Sequence, residues 1–212
     1  EGLAGNRVSR VSGILNGTCN YILTRMEKTG EPFDEVLADA QKLGYAEAEP
    51  SLDVDGIDAA HKLTILAAIG FGQTPQFDKV AISGIRDVSA VDFAYAKQLG
   101  FRIKLVGTAE PGRMPRMQTC LLPMSTQLAK VDGVLNAVEF DADPVGSVVL
   151  TGPGAGSGAT SSAVLSDLVD LACDRIPFTF GRPVAALADG SAVENGGGPD
   201  TPFYVRLMVV DK

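Results

Sequence analysis

The chain has 212 residues, 45% hydrophobic and 21% charged, the balance of a globular protein long enough to bury a core. Its formal net charge of -8 argues against a nucleic-acid surface, and its longest uncharged apolar stretch, LTILAAIGFG, is about half a membrane span. Three widely spaced cysteines (Cys19, Cys120, Cys173) and one histidine argue against a disulfide framework or a zinc site, so no metal is expected and a reducing, cytoplasmic compartment is.

The pattern predicts a strand over residues 8–15, then helices over 18–28 and 32–43, the second with Pro32 in its first turn and Gly44 just past its end. Residues 54–71 read as one long buried helix. After Pro75, residues 88–99 predict a helix capped by Ser89. Strands are predicted over 101–109, 117–122, 133–140 and 145–150, and a helix over 160–173. Gly196–Gly198 opens a linker, and the alternating TPFYVRLMVVDK reads as a final strand. Helices gather early and strands late. That order predicts an α+β fold, a mixed or antiparallel sheet with helices packed on one face. The uncovered sheet face predicts a homodimer. Both ends run through patterned sequence, which predicts a longer protein on both sides.

Residues 44–62, GYAEAEPSLDVDGIDAAHK, gather Glu47, Glu49, Asp53, Asp55 and Asp58 and close on Lys62. At i, i+4 spacing Asp58 and Lys62 share one helix face, and the same stripe continues through Leu66 and Ile69. That stripe predicts an ammonium at the mouth of a core. Partial burial lowers a lysine pKa and a close carboxylate raises it, so a lysine balanced between the two can exchange a proton near neutral pH. The plain alternative is an exposed helix pair worth about 0.3–0.5 kcal/mol. The apolar run after Lys62, and five acids against one lysine, favour a site in which several carboxylates remain free for a ligand.

Two further features carry chemistry. Gly154-x-Gly156-x-x-Ala159 matches a dinucleotide fingerprint between a strand and a helix, but only a short tail follows it. A tight turn with close strand–helix approach is the favoured reading. Cys19, near a helix start, offers a different class: a thioester-forming, acylating aldehyde dehydrogenase with His61 as the one available base. A small buried cysteine is the usual alternative. A third reading is a non-catalytic dimerisation module.

GILNGTCNYIL, KLGYAEAEPSLDVDGIDAAHKL, FRIKLVGTA, GVLNAV and GPGAG occur in this order. Together they resemble the catalytic, substrate-binding domain of homoserine dehydrogenase, over nearly the whole chain. The resemblance implies NAD- or NADP-dependent interconversion of L-homoserine and L-aspartate 4-semialdehyde, in threonine and methionine biosynthesis. It implies a Rossmann domain before residue 1 that binds most of the cofactor. It divides the chain into a catalytic and dimerisation domain, residues 1–195, and a linker leading into an ACT-like domain, residues 196–212. By position it makes Lys62 the proton donor and acceptor, Glu47 and Asp53 substrate-binding residues, and Asp58 a substrate or lysine partner. Gly17 and Thr18 line the same pocket, and Gly154 and Gly156 lie near the nicotinamide. Glu49 and Cys19 stand where aspartate and threonine are usual. The residue types fit that chemistry: carboxylates can hold an ammonium, and a hydroxyl losing hydride needs one base within reach.

Overall fold

The computed structural model describes residues 2–175, 178–190 and 202–207. Strand β1 (Arg7–Ile14) leads into helices α1 (Gly17–Thr29) and α2 (Phe33–Lys42). A one-turn helix, α3 (Ser51–Val54), precedes α4 (Ile57–Phe71). A two-residue strand β2 (Ala81–Ile82) and helix α5 (Ala90–Gln98) follow. The second half is strand-rich: β3 (Phe101–Ala109), β4 (Arg116–Pro123), β5 (Leu135–Asp143) and β6 (Gly146–Pro153), then helix α6 (Ser157–Ala172). The sheet runs β2-β4-β3-β1-β5-β6. Among the described strands of this sheet, only the β2–β4 pair is parallel. This is the α+β arrangement with a mixed sheet. Among the described residues no helix is long and apolar enough to cross a membrane.

The period of two along β3 sets the layers. Phe101, Ile103, Leu105 and Ala109 face the helices and join Ile22, Leu23 and Met26 of α1, Leu63 of α4 and Phe93 of α5 in the main core. On the opposite face Ile14, Val106 and Ala137 pack with Leu128 and Val131 in a smaller cluster. Helix α4 buries Ala60, Leu63, Thr64 and Ala67. It lies so close to β1 that a Cβ on Gly70 would stand 3.3 Å from Val11. Ser89 caps α5 in a reciprocal capping box with Asp92, as the pattern predicts.

Four expectations are corrected. The long helix over residues 54–71 is broken at Gly56, whose φ of +83° is a left-handed conformation suited to glycine. The stripe through Lys62 is only partly buried: Leu66 packs on the main core but Ile69 is half exposed, because the face turned to the sheet is the small-residue face above. Helix α6 joins no layer and buries none of its residues, leaving Val164, Leu165, Leu168 and Val169 exposed. Residues 202–207 form no strand. Tyr204 and Arg206 instead bind Asp92 at 2.9 and 2.6 Å. Burial alone would raise the Asp92 carboxyl, but the Ser89, Tyr204 and Arg206 contacts outweigh it and hold it below the usual aspartate value. The Gly196–Gly198 linker and the end of the expected strand, residues 208–212, lie outside the described residues.

β1 pairs with β3 only over Val11–Gly13. Beyond that point the first half of β3 faces a gap, which α1 and the loop after residue 128 fill. Lys104 reaches into it and is fully buried. Its Nζ donates to the Val131 carbonyl at 2.5 Å, Asn20 Oδ1 at 3.1 Å and Asp132 Oδ1 at 3.3 Å. Burial, then the charge of Arg102, push Lys104 below the ordinary lysine value, and Asp132 and Glu27 pull it back. Lys104→Met should leave the Asn20 amide oxygen buried without a donor, at a cost of about 1–3 kcal/mol. Urea unfolding of the chain measures this, and unchanged stability would contradict it.

Candidate active site

The site begins where β1 ends. Asn16 caps α1, with extended backbone and its Oδ1 accepting from the Cys19 amide at 2.8 Å. Its Nδ2 donates to Asp53 Oδ1 at 2.7 Å and to Asp58 Oδ2 at 2.9 Å. Asp53 comes from α3, Asp58 from the first turn of α4. On an unbroken helix, residues five apart point about 140° away from each other. The break at Gly56 is what turns both carboxylates to one amide. Asp58 Oδ2 also accepts from Lys62 Nζ at 2.7 Å, and Nζ reaches the Leu15 carbonyl at 3.4 Å. Lys62 is therefore held between a carboxylate and the carbonyl just before Asn16, with 48% of its side chain exposed.

Thr18 Oγ1 donates to the Tyr45 carbonyl at 2.6 Å, and the Tyr21 ring packs on Tyr45 at 4.9 Å. These contacts hold the loop that carries Glu47 against α1. Glu47 is exposed and accepts from Gln41 through its backbone carbonyl at 2.9 Å. Its carboxylate makes no hydrogen bond or ion pair among the described residues, and no contact joins it to Lys62. Gly17 packs its bare Cα under the Val134 carbonyl, where a Cβ would stand at 2.7 Å.

The acidic excess is narrower than the sequence implies. Asp55 pairs with Arg86 at 2.5 Å, so Lys62 is not the only cation beside these acids. Glu49 accepts from the Ser51 hydroxyl and, at 3.2 Å, from its amide, which hold its carboxyl below the usual range. After the glycine turn, Gly156 caps α6 with φ of +98°, and a Cβ on Gly154 would fall 2.0 Å from Asn136 Nδ2. The bare Cα of Gly154 thus has a steric reason. A groove of ≈ 800 Å³ along β4 contains none of the Lys62 cluster, so the chemistry and not this groove locates the candidate site.

The cysteine alternative is overturned. Cys19 has no exposed surface, and its thiol donates to the Asp53 carbonyl at 3.1 Å. Burial, then the charges of Asp53, Asp58 and Asp55, push the thiol far above its ordinary value. Desolvation and three carboxylates outweigh the helix dipole that the sequence reading relied on. The His61 ring packs on Phe77 at 4.1 Å instead of facing Cys19. The gathering of Asp53, Asp58 and Lys62 in one place also speaks against a purely architectural module. Sequence reasoning missed Asn16, although an Asn before Gly-Thr at a helix start is a capping signal. It also missed Asn136, for which GVLNAV gave no local signal.

Fold and site define a class: an α+β domain carrying a lysine–carboxylate cluster at the end of an inner strand. The sequence model of homoserine dehydrogenase matches residues 1–169. A homoserine dehydrogenase of Pseudomonas aeruginosa is 51% identical over 221 residues, which span 100% of this chain and 50% of that protein. The crystal structure of a homoserine dehydrogenase from Thiobacillus denitrificans superposes with a TM-score of 0.84 at 46% identity, over 89% of this chain and 46% of that one. A hyperthermophilic archaeal homoserine dehydrogenase mutant in complex with NADPH has a TM-score of 0.70 at 31% identity, over 81% of this chain and 50% of that one. The chain belongs to the homoserine dehydrogenase family. It spans about half the length of the curated relatives it matches.

Asn16 should be the sensitive position of this site. Asn16→Ala removes a cap and two carboxylate contacts, and should destabilise the chain by about 1–3 kcal/mol. Asn16→Asp keeps a capping oxygen but sets a third carboxylate against Asp53 and Asp58. Like charges raise the folded-state pKa, so this penalty should be largest at neutral pH and fall as pH drops. Urea titrations of both variants at pH 7 and pH 4.5 check this. A pH-independent Asn16→Asp penalty would contradict the arrangement.

Proposed function

We propose that residues 1–195 supply the substrate pocket and the acid–base residue for NAD- or NADP-dependent interconversion of L-homoserine and L-aspartate 4-semialdehyde. The observation that carries this reading is Lys62, fixed by Asp58 and the Leu15 carbonyl yet half exposed, in a chain of this family. An ammonium has three protons. Two are engaged by these acceptors, which leaves one direction for a substrate oxygen. The homoserine ammonium meets the unengaged Glu47 carboxylate and the Asp53 oxygen that Asn16 does not use. As hydride leaves the hydroxyl-bearing carbon, Lys62, having first released its third proton to solvent, takes the hydroxyl proton at Nζ. In the reverse direction its ammonium polarises the aldehyde oxygen and then protonates it. Gly17 and Thr18 shape the pocket wall at the start of α1.

A nicotinamide cofactor, bound mainly by a domain before residue 1, supplies the hydride acceptor. In this chain the residues fit a contact at one end of it only: a single glycine turn, Gly154 and Gly156, opening α6. Residues 196–212 are proposed as a linker and the start of a following ACT-like domain. A homodimer through the sheet is part of the same reading. Its support is the face opposite the helices, where Thr108, Gln118, Cys120 and Leu122 are only partly buried. Sedimentation of this chain at micromolar concentration should show a dimer, and monomer alone would contradict it.

The decisive kinetics use the protein that joins this chain to its cofactor-binding part. Lys62→Ala should lower kcat on the order of 10²–10⁴-fold with folding preserved, since the lysine stem adds little to packing. Glu47→Gln and Asp53→Asn should raise the KM for homoserine more than they lower kcat. Near-normal kcat for folded Lys62→Ala would return Asp58–Lys62 to an ordinary surface pair.

A further inference from the structure

Asn136 is the second residue of β5, paired with Gly152 of β6. Its amide is wedged between two stretches of backbone, residues 15–17 and the turn at Gly154. Nδ2 lies 3.5 Å from the Leu15 carbonyl, the same oxygen that Lys62 Nζ reaches at 3.4 Å. Behind it, a Cβ on Gly154 would overlap Nδ2 at 2.0 Å and Cγ at 2.7 Å. Beside it, a Cβ on Gly17 would stand 3.5 Å from Oδ1. That Oδ1 is the one buried side-chain polar atom without a hydrogen-bond partner among the described residues. Leaving an acceptor so placed costs about 1–3 kcal/mol, which an apolar residue of similar size would not incur.

We propose that Asn136 is a positioning residue for Lys62, and that position 154 is glycine to make room for the Asn136 amide. This rests on the reading of Lys62 as the acid–base residue. A carbonyl oxygen has two lone pairs, and here one serves Lys62 and the other Asn136. Both contacts are long, so a shift of the Asn136 amide toward or away from Leu15 changes how much of that carbonyl is left to Lys62. The glycine turn confines the amide from the side away from Leu15. A displacement of the turn passes through one side chain and one carbonyl to Nζ. The turn that opens α6 and the proton-transfer group are thereby mechanically joined. The turn's backbone can still lie near the nicotinamide; the competing account is that Gly154 lacks a side chain only so that a dinucleotide can approach. The two accounts give opposite kinetics.

The test is a double-mutant cycle in the protein that joins this chain to its cofactor-binding part. Asn136→Ala should lower kcat on the order of 10-fold, with KM for homoserine and for the dinucleotide changed by less than about twofold. Gly154→Ala should cost more, on the order of 100-fold in kcat, because the new methyl drives the amide onto Leu15. The double variant should recover to the level of Asn136→Ala, since the methyl then occupies the vacated amide volume. Additive losses, or a raised dinucleotide KM for Gly154→Ala in both backgrounds, would overturn the proposal. Circular dichroism confirms folding, and Asn136→Ser replaces Asn136→Ala if the alanine variant does not fold. Lys62→Ala is measured in parallel. If it stays active, the functional reading fails. If it is inactive while the cycle is additive, only this inference fails.

Discussion

One side-chain amide holds the site together. Asn16 Nδ2 stands between the carboxylates of Asp53 and Asp58, at 2.7 and 2.9 Å. Without that donor the two would face each other as like charges. The same residue starts α1 through its Oδ1, so the direction of the helix and the spacing of the acids are fixed by one group. Asp58, once held by Asn16, offers its Oδ2 to Lys62 as well. Cys19 follows from the same arrangement. The cap that draws its amide toward Asn16 buries its thiol under the Asp53 carbonyl, where it stays protonated.

Part of this was legible in the sequence because it is local. The Asp58–Lys62 pair follows from i, i+4 geometry, and the Ser89 cap, the Pro32 start and the β3 strand follow from short-range signals. What sequence reasoning lost was set by tertiary contact or by one backbone angle. The Asp55-Gly56 dipeptide is a turn signal, yet the apolar pattern on both sides reads as continuous helix. With the break unseen, Asp53 and Asp58 could not be brought to one amide. Arg86 removes Asp55 from the site across a long sequence separation, which no local pattern reveals. The two-residue β2 is too short to leave a period. Helix α6 has a sound helical pattern, but its exposure depends on neighbours that its own sequence does not specify.

Part of the exposed apolar surface lies near the Lys62 cluster. Ile65 and Ile69 flank Lys62 on the open face of α4, and Leu150 on β6 is 63% exposed. Leu150 also lines a shallow groove of ≈ 300 Å³ with Asn136, Val138 and Gly154. On one side Lys62 is held by Asp58 and the Leu15 carbonyl. The other side of Lys62 is open, with 48% of its side chain exposed.

The most direct measurement of the central claim is the nuclear magnetic resonance signal of the Asn16 side-chain amide in this chain. Two strong hydrogen bonds to carboxylates should give two well-separated, downfield Nδ2 protons with slow solvent exchange. Both should move together when Asp53 or Asp58 is replaced by Asn. An Asn16 amide with exposed-like shifts and fast exchange, indifferent to both replacements, would contradict the account.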